Sequence, residues 1–398
     1  MSTMKWISIH AAEATERVLY AVPPVRKHLG LPRPVELSVA KWHASNAPLL
    51  AERGISYTNV AESRPWKLIP PLCYNGELPA SWAWAIDWKP QDRFYLEIPN
   101  GRAAFEPWRC STAVLGPRGE ILHETVPLFF HQPENHPVRR AIFFSKPHKL
   151  PGKAFLLFND ASSNFYHWMC DILPRLYVAH CAGRNIADFD WFLTDQVINP
   201  FHEEMLDAFG IPREKIVVAT EHRLIEADTL CVSSLNDKSG VVHRETLCFV
   251  RDALNSVVRD DTRQRTPKRI FINRQMATSR RIVNFDEVAD VLDEFGFAAV
   301  TSETLTLHEQ VRLFRGATHI VAGHGAGLTN LMFCRPGTKV LEILNESWAY
   351  PMYWMMCSEL GLDYALMHAG VVPRKTAALD DLVVDVNVLR TALARMSA

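Results

Sequence analysis

The sequence predicts an α/β protein built from two Rossmann-like units facing each other across a cleft, preceded by a proline- and tryptophan-rich extension. Three observations carry this. The chain has 398 residues, 48% of them hydrophobic, which exceeds what one hydrophobic core usually supports. From about residue 150, short β-branched or apolar runs alternate with amphipathic stretches of helical length, the pattern of parallel strands joined by crossover helices. A polar stretch at 259–268, holding Pro267, divides this alternation into two series. The expected organisation is an extension at 1–110, a first Rossmann-like domain at 111–262 and a second at 263–398.

Residues 1–150 hold 17 of the 25 prolines and seven of the eleven tryptophans. Proline stops helices and interrupts sheet interiors, so short strands and loops pinned by buried rings are expected there, with no long helix. The run from Trp82 to Trp88 also suggests stacking on sugar rings, weakly. The first α/β series reads as strands at 154–158, 191–193, 216–218 and 230–232, with helices from about Ser163, Pro200 and Arg244. The second reads as strands at 269–272, 298–300, 319–321 and 339–343, with helices from about Asn284, Thr306 and Tyr350 and one through Leu328. Thr306 and Glu309 have capping-box spacing, and Asn284 precedes Asp286 and Glu287.

Composition narrows the function. With 43 basic and 44 acidic side chains the formal net charge is −1, which argues against nucleic acid as a partner. The eight cysteines are widely spaced, without a CxxC pair, and read as reduced thiols of a cytoplasmic protein. The N-terminus lacks a signal-peptide core and no run approaches the ~20 apolar residues that cross a bilayer, so secretion and spanning are disfavoured while peripheral contact at the inner membrane face stays open.

Three segments can carry chemistry. In 318–330 a strand runs into a glycine-rich turn, Gly323-His324-Gly325-Ala326-Gly327, that opens a helix through Asn330. Such a turn lets backbone amides approach a phosphate or pyrophosphate. Leu328 stands where a dinucleotide fingerprint needs its third glycine, and no P-loop lysine follows. His324 is either a phosphate donor or a structural residue. Following the strand at 269–272, Arg274, Arg280 and Arg281 could neutralise a diphosphate by bidentate hydrogen bonds, or form a solvated basic loop. Glu342, at the end of the next strand, is a candidate acceptor for ribose or sugar hydroxyls. In the first unit, His167 and Asp171 are four residues apart after a strand, so on a helix the carboxylate orients the imidazole as a general base requires; a surface pair is the plainer reading.

Taken together, the segments 164–175 (with Asn164, Tyr166, His167 and Asp171), 273–284 and 323–343 resemble glycosyltransferase family 61, the DUF563-type proteins associated in bacteria with capsular or other surface polysaccharide synthesis. The resemblance covers roughly 150–365. It implies a GT-B fold and inverting transfer from a nucleotide-sugar, a UDP-sugar first, to a glycan or glycolipid hydroxyl. It implies His167 or Asp171 as catalytic base, and Arg274, Arg280, Arg281, His324, Gly325, Ala326, Gly327, Asn330 and Glu342 on the donor. Asn164 and Tyr166 would lie on the acceptor side. Asp188-Phe189-Asp190 precedes a strand instead of following one, so no metal site is assigned to it; a divalent cation is not excluded but no obligatory cofactor is expected. The competing readings are a non-catalytic nucleotide-sugar or glycan-binding module and, further off, an NAD-dependent oxidoreductase.

Overall fold

A computed structural model describes residues 35–397 except 61–65, 107–110, 127–132, 134–135, 141–145, 160, 195–196, 198, 259–265 and 346–347. Most of the expected boundary at 259–268, and Trp6, Trp108 and Cys110, lie outside the described residues. Within them the protein is a mixed α/β structure organised on two large sheets.

The second sheet matches the expected series closely. Its strands are Arg269–Ile272, Ala298–Val300, His319–Gly323, Lys339–Leu344 and Asp363–His368. The central ones, His319–Gly323 and Lys339–Leu344, are short apolar runs because both faces are covered. Ile270, Ile320 and Val340 point into one core, while Phe271, Val321 and Leu341 point into another on the opposite face. All pairings are parallel, and in space the strands starting at 298, 269, 319, 339 and 363 follow one another. Counted in chain order this is 2-1-3-4-5, so the order reverses between Arg269–Ile272 and His319–Gly323. A crevice opens at the carboxyl ends of two such strands because their connections leave to opposite sides. Thr306 caps the helix Leu307–Gly316 through the capping box read from the sequence.

The first sheet departs from expectation. Parallel pairing joins Leu224–Ser233, His148–Leu156, Trp191–Thr194 and Ile216–Val218, and at the far edge the two-residue strands Val35–Glu36 and Ile121–Leu122. On its other side Leu224–Ser233 runs antiparallel to the 14-residue strand Arg93–Glu106, which also pairs antiparallel with Ser56–Val60 and Ser111–Leu115, so the sheet is mixed. Pro99 and Gly101 hide this strand from a propensity reading. The chain bends there, with Asn100 at φ 49° and Gly101 packed so closely that a Cβ would meet Leu230 at 2.5 Å.

The proline-rich segment holds a long helix after all. Val39–Glu52 is helical with Pro48 inside it, capped by Ser38 and anchored by Trp42, whose indole donates to Glu120 at 2.9 Å. Burial of Val39, Trp42 and Leu50 on one face outweighs the lost proline hydrogen bond. The Trp82 cluster is mainly structural: Trp82 is fully buried, stacks on Trp354 and donates to the Ala349 carbonyl. The strand Leu72–Cys73 pairs with Asp363–His368, so the 66–88 stretch ties the two halves together. Among the described residues no helix is long and apolar enough to cross a membrane.

Candidate active site

A cleft of about 750 Å³ lies between elements of the two sheets. Asn164, Tyr166, His167 and Ser239 stand on one wall, while Arg280, His324, Gly325 and Ala326 stand on the other.

The helix expected from Ser163 is broken into pieces that set the first wall. Asn164 caps it, its side-chain oxygen accepting from the Tyr166 amide at 2.9 Å. After Phe165–His167 the backbone widens into a π turn over Trp168–Ile172, closed by the Leu173 amide on the Trp168 carbonyl, and Pro174 starts a new helix to Cys181. Pro174 has no N–H to offer the Cys170 carbonyl, which accounts for the widened turn. His167 Nδ1 meets Asp171 Oδ2 at 2.6 Å, and the Ser239 hydroxyl donates to the same oxygen at 2.7 Å. The imidazole is 23% exposed on the cleft while the carboxylate beneath it is 3% exposed. Tyr166 is buried edge-on against Tyr353; burial pushes its phenol well above the ordinary range, so its hydroxyl stays protonated.

The second wall sits at the sheet's reversal point. The turn Gly323–Gly327 leaves His319–Gly323, and the arginine segment leaves the neighbouring strand Arg269–Ile272. Arg274 stands behind the turn: a Cβ on Gly325 would lie 2.0 Å from Arg274 Nη1, so glycine lets the guanidinium sit against the turn and any side chain there would push it aside. Arg280 reaches the cleft, its guanidinium 4.6 Å from the Trp348 ring centre, and holds φ at 57° to do so. Both arginines have a buried Nε without a hydrogen-bond partner, and neither forms an ion pair among the described residues. Burial lowers both, Arg280 to about 10 with Arg274's charge adding to the effect. Two partly desolvated like charges beside a glycine turn form a site that an anion would relieve.

Other expected residues lie elsewhere. Glu342 was expected to accept sugar hydroxyls, but it is fully buried, with one oxygen 2.5 Å from His324 Nδ1 and the other accepting from the Tyr364 hydroxyl. It orients His324 instead of facing the cleft. Asn330 is fully buried and donates to Gln310 and the Gly327 carbonyl, and Gly327 packs on Ile272; both support the turn from behind. Asp188 caps the Asn185 turn and Asp190 accepts from the Lys153 amide, so both acids of that pair have structural partners. Among the described residues no group of three His, Cys, Asp or Glu side chains is placed to hold a metal ion.

Arg281 turns away from Arg280. Its amide donates to Asp381 Oδ1 at 2.9 Å, and Arg374 binds Asp381 Oδ2 at 2.6 Å. Burial alone would raise the Asp381 carboxyl, but the Arg281 amide and the Arg374 guanidinium outweigh it and hold the group below its ordinary range. A depressed carboxyl adds stability above its unfolded value and loses it as pH falls through the folded one. Asp381→Asn should therefore destabilise by about 1 kcal/mol at neutral pH after solvent screening, and the difference should vanish in acid, as read by urea unfolding at pH 7 and below pH 3. Equal loss at both pH values would show that packing, not charge, is at work.

Ser239, Trp348 and Tyr353 were not found from the sequence. Tyr353 donates to the Gly325 carbonyl at 2.7 Å, and Trp348 lies between Arg280 and His324. None sits in a motif that advertises chemistry.

Residues 165–341 match the family model described as Glycosyltransferase 61. The match covers less than half of the chain and gives the likeness of this segment to glycosyltransferase family 61. The segment contains His167, Asp171, Ser239, the three arginines and the glycine-rich turn. The chain is also similar to a β-1,2-xylosyltransferase of Arabidopsis thaliana, at 28% identity over 26% of this chain and 22% of the relative. β-1,2-Xylosyltransferase RCN11 of Oryza sativa subsp. japonica is 32% identical over 22% of this chain and 16% of the relative. β-1,2-Xylosyltransferase XAX1 of the same rice is 24% identical over 57% of this chain and 43% of the relative. The matches thus span less than half the length of each of these family 61 relatives.

Proposed function

We propose that this protein is an inverting glycosyltransferase of GT-B type that moves a sugar from a nucleotide-sugar, a UDP-sugar first, to a hydroxyl of a glycan or glycolipid acceptor. Residues 111–262 form the acceptor domain and 263–398 the donor domain in this reading. The observation that carries it is the cleft itself, with a carboxylate-oriented imidazole on one wall and, opposite, Arg280 beside a glycine turn at the point where the strand order reverses. His167, held by Asp171, takes the proton from the acceptor hydroxyl as its oxygen attacks the anomeric carbon. The bond to the nucleoside diphosphate breaks on the opposite side of that carbon. Arg280, with Arg274 behind it, and the amides after His324 stabilise the departing diphosphate. Two guanidinium groups supply charge of the kind a divalent cation gives elsewhere, so the reaction is proposed to need no metal.

The acceptor is assigned only as a glycan hydroxyl; the relatives are named as plant xylosyltransferases and do not tie this chain to capsular polysaccharide. A cytoplasmic site of action, at or near the membrane face, belongs to the same proposal. A binding module would share the arginine wall, but the His167–Asp171 pair favours an enzyme. In a thermal-shift and donor-cleavage screen over UDP-, GDP-, ADP- and CMP-sugars and NAD, headed by a xylosyl donor, one nucleotide-sugar class should raise Tm and be slowly hydrolysed, with or without EDTA. Stabilisation by NAD alone, or binding without any cleavage or transfer, would overturn the reading.

A further inference from the structure

We propose that Ser239 is a positioning residue of the catalytic pair, holding Asp171 so that His167 keeps its proton on Nδ1 and presents Nε2 to the acceptor. The inference rests on the glycosyltransferase reading for its chemistry, but its geometry is independent of it. Ser239 Oγ lies 2.7 Å from Asp171 Oδ2 and 3.5 Å from His167 Nδ1, so serine and imidazole converge on one carboxylate oxygen. A carboxylate only accepts; the serine proton therefore goes to Asp171, and the imidazole proton on the near side goes there too. That excludes a serine nucleophile activated by His167, because the hydroxyl is spent on the acid and the imidazole reaches it with the wrong nitrogen.

The serine arrives on a loop built to hold it. Between Leu224–Ser233 and the helix Arg244–Ser256, Asp237 Oδ2 meets His243 Nε2 at 2.8 Å and accepts from the Trp88 indole at 3.1 Å. Both Asp237 and His243 are buried, and Arg93 and Thr246 bind the two ends of the Asn236 amide. Gly240 at φ 92° makes the turn that follows Ser239. On the other side Arg175, one helical turn beyond Asp171, is wholly buried on the Ser233 and Thr125 carbonyls, and its charge interacts with the Asp171 carboxylate. Asp171 is thereby supported from two elements while only its imidazole meets the cleft.

Two measurements on the full chain test this. In ¹⁵N-histidine spectra of the ligand-free protein, the resonance lost in His167→Gln should show the Nδ1–H tautomer in wild type and a mixture in Ser239→Ala. In donor turnover, Ser239→Ala should lower kcat roughly ten- to hundredfold with donor KM and Tm unchanged, and Ser239→Thr, which keeps the hydroxyl, should restore most of it. An unchanged tautomer in Ser239→Ala, or wild-type kcat in that variant, would overturn the inference. If the wild type turns over no nucleotide-sugar, the functional reading fails, while the tautomer comparison still decides the role of Ser239.

Discussion

His167→Ala should lower kcat by roughly 10²–10⁴-fold and leave nucleoside diphosphate binding and Tm nearly unchanged. The imidazole is partly exposed and borders a cleft that already holds about 750 Å³, so its removal opens little new cavity and the fold should tolerate it. What disappears is the imidazole that a buried carboxylate positions on that wall to take a hydroxyl proton. Asp171→Asn should cost less turnover, because the imidazole remains, but an amide cannot serve as a charged acceptor for both His167 and Ser239. The check is steady-state turnover with the best donor from the screen, alongside calorimetric binding of the free nucleoside diphosphate. Near-normal turnover in both variants would remove the pair from the mechanism.

Arg280→Met should weaken nucleoside diphosphate binding by about 2–4 kcal/mol, roughly 30- to 1,000-fold, and Arg274→Met by somewhat less. Arg280 lines the cleft, whereas Arg274 acts from behind the glycine turn. The ligand-free protein should melt no lower in either variant. Each arginine is partly desolvated beside a like charge, and removing one relieves the other, so stability moves opposite to function. Gly325→Ala probes the same site without deleting charge: its Cβ would strike Arg274 Nη1 and force the guanidinium aside, so binding should fall to the Arg274→Met level. Isothermal calorimetry with UDP and melting of the free protein read both quantities. Wild-type affinity in Arg280→Met, or a large drop in its ligand-free Tm, would show that the arginine wall is structural.

The parts legible in advance were those written in local pattern. Short parallel strands appear as short apolar or β-branched runs, so Arg269–Ile272, Ala298–Val300 and Ile216–Val218 were found at their observed ends. The capping box at Thr306 and Glu309, the glycine-rich turn and the four-residue spacing of His167 and Asp171 are likewise relations between near neighbours. The long strand Arg93–Glu106 escaped because its proline and glycine sit at a bend that only its partner strands make favourable. The helix Val39–Glu52 escaped because burial of Trp42 against Glu120, 78 residues away, outweighs Pro48.

For the site, the sequence by itself determined which residues carry charge, a titratable ring or a bare backbone, and which sheet edge delivers them. Only the tertiary structure decided which of them face the cleft. Arg280 and Arg281 are adjacent and chemically identical, yet a left-handed backbone at Arg280 sends it over Trp348 while Asp381, a hundred residues on, takes the Arg281 amide. Glu342 was placed by sequence at a strand end facing ligand, yet the strand runs on to Leu344 and His324 and Tyr364 occupy both its oxygens inside the core. Ser239 reaches Asp171 across 68 residues of chain. Periodicity records the face a side chain shares with its neighbours in sequence; a partner brought close by folding leaves no trace there, because its position depends on packing throughout the chain between them.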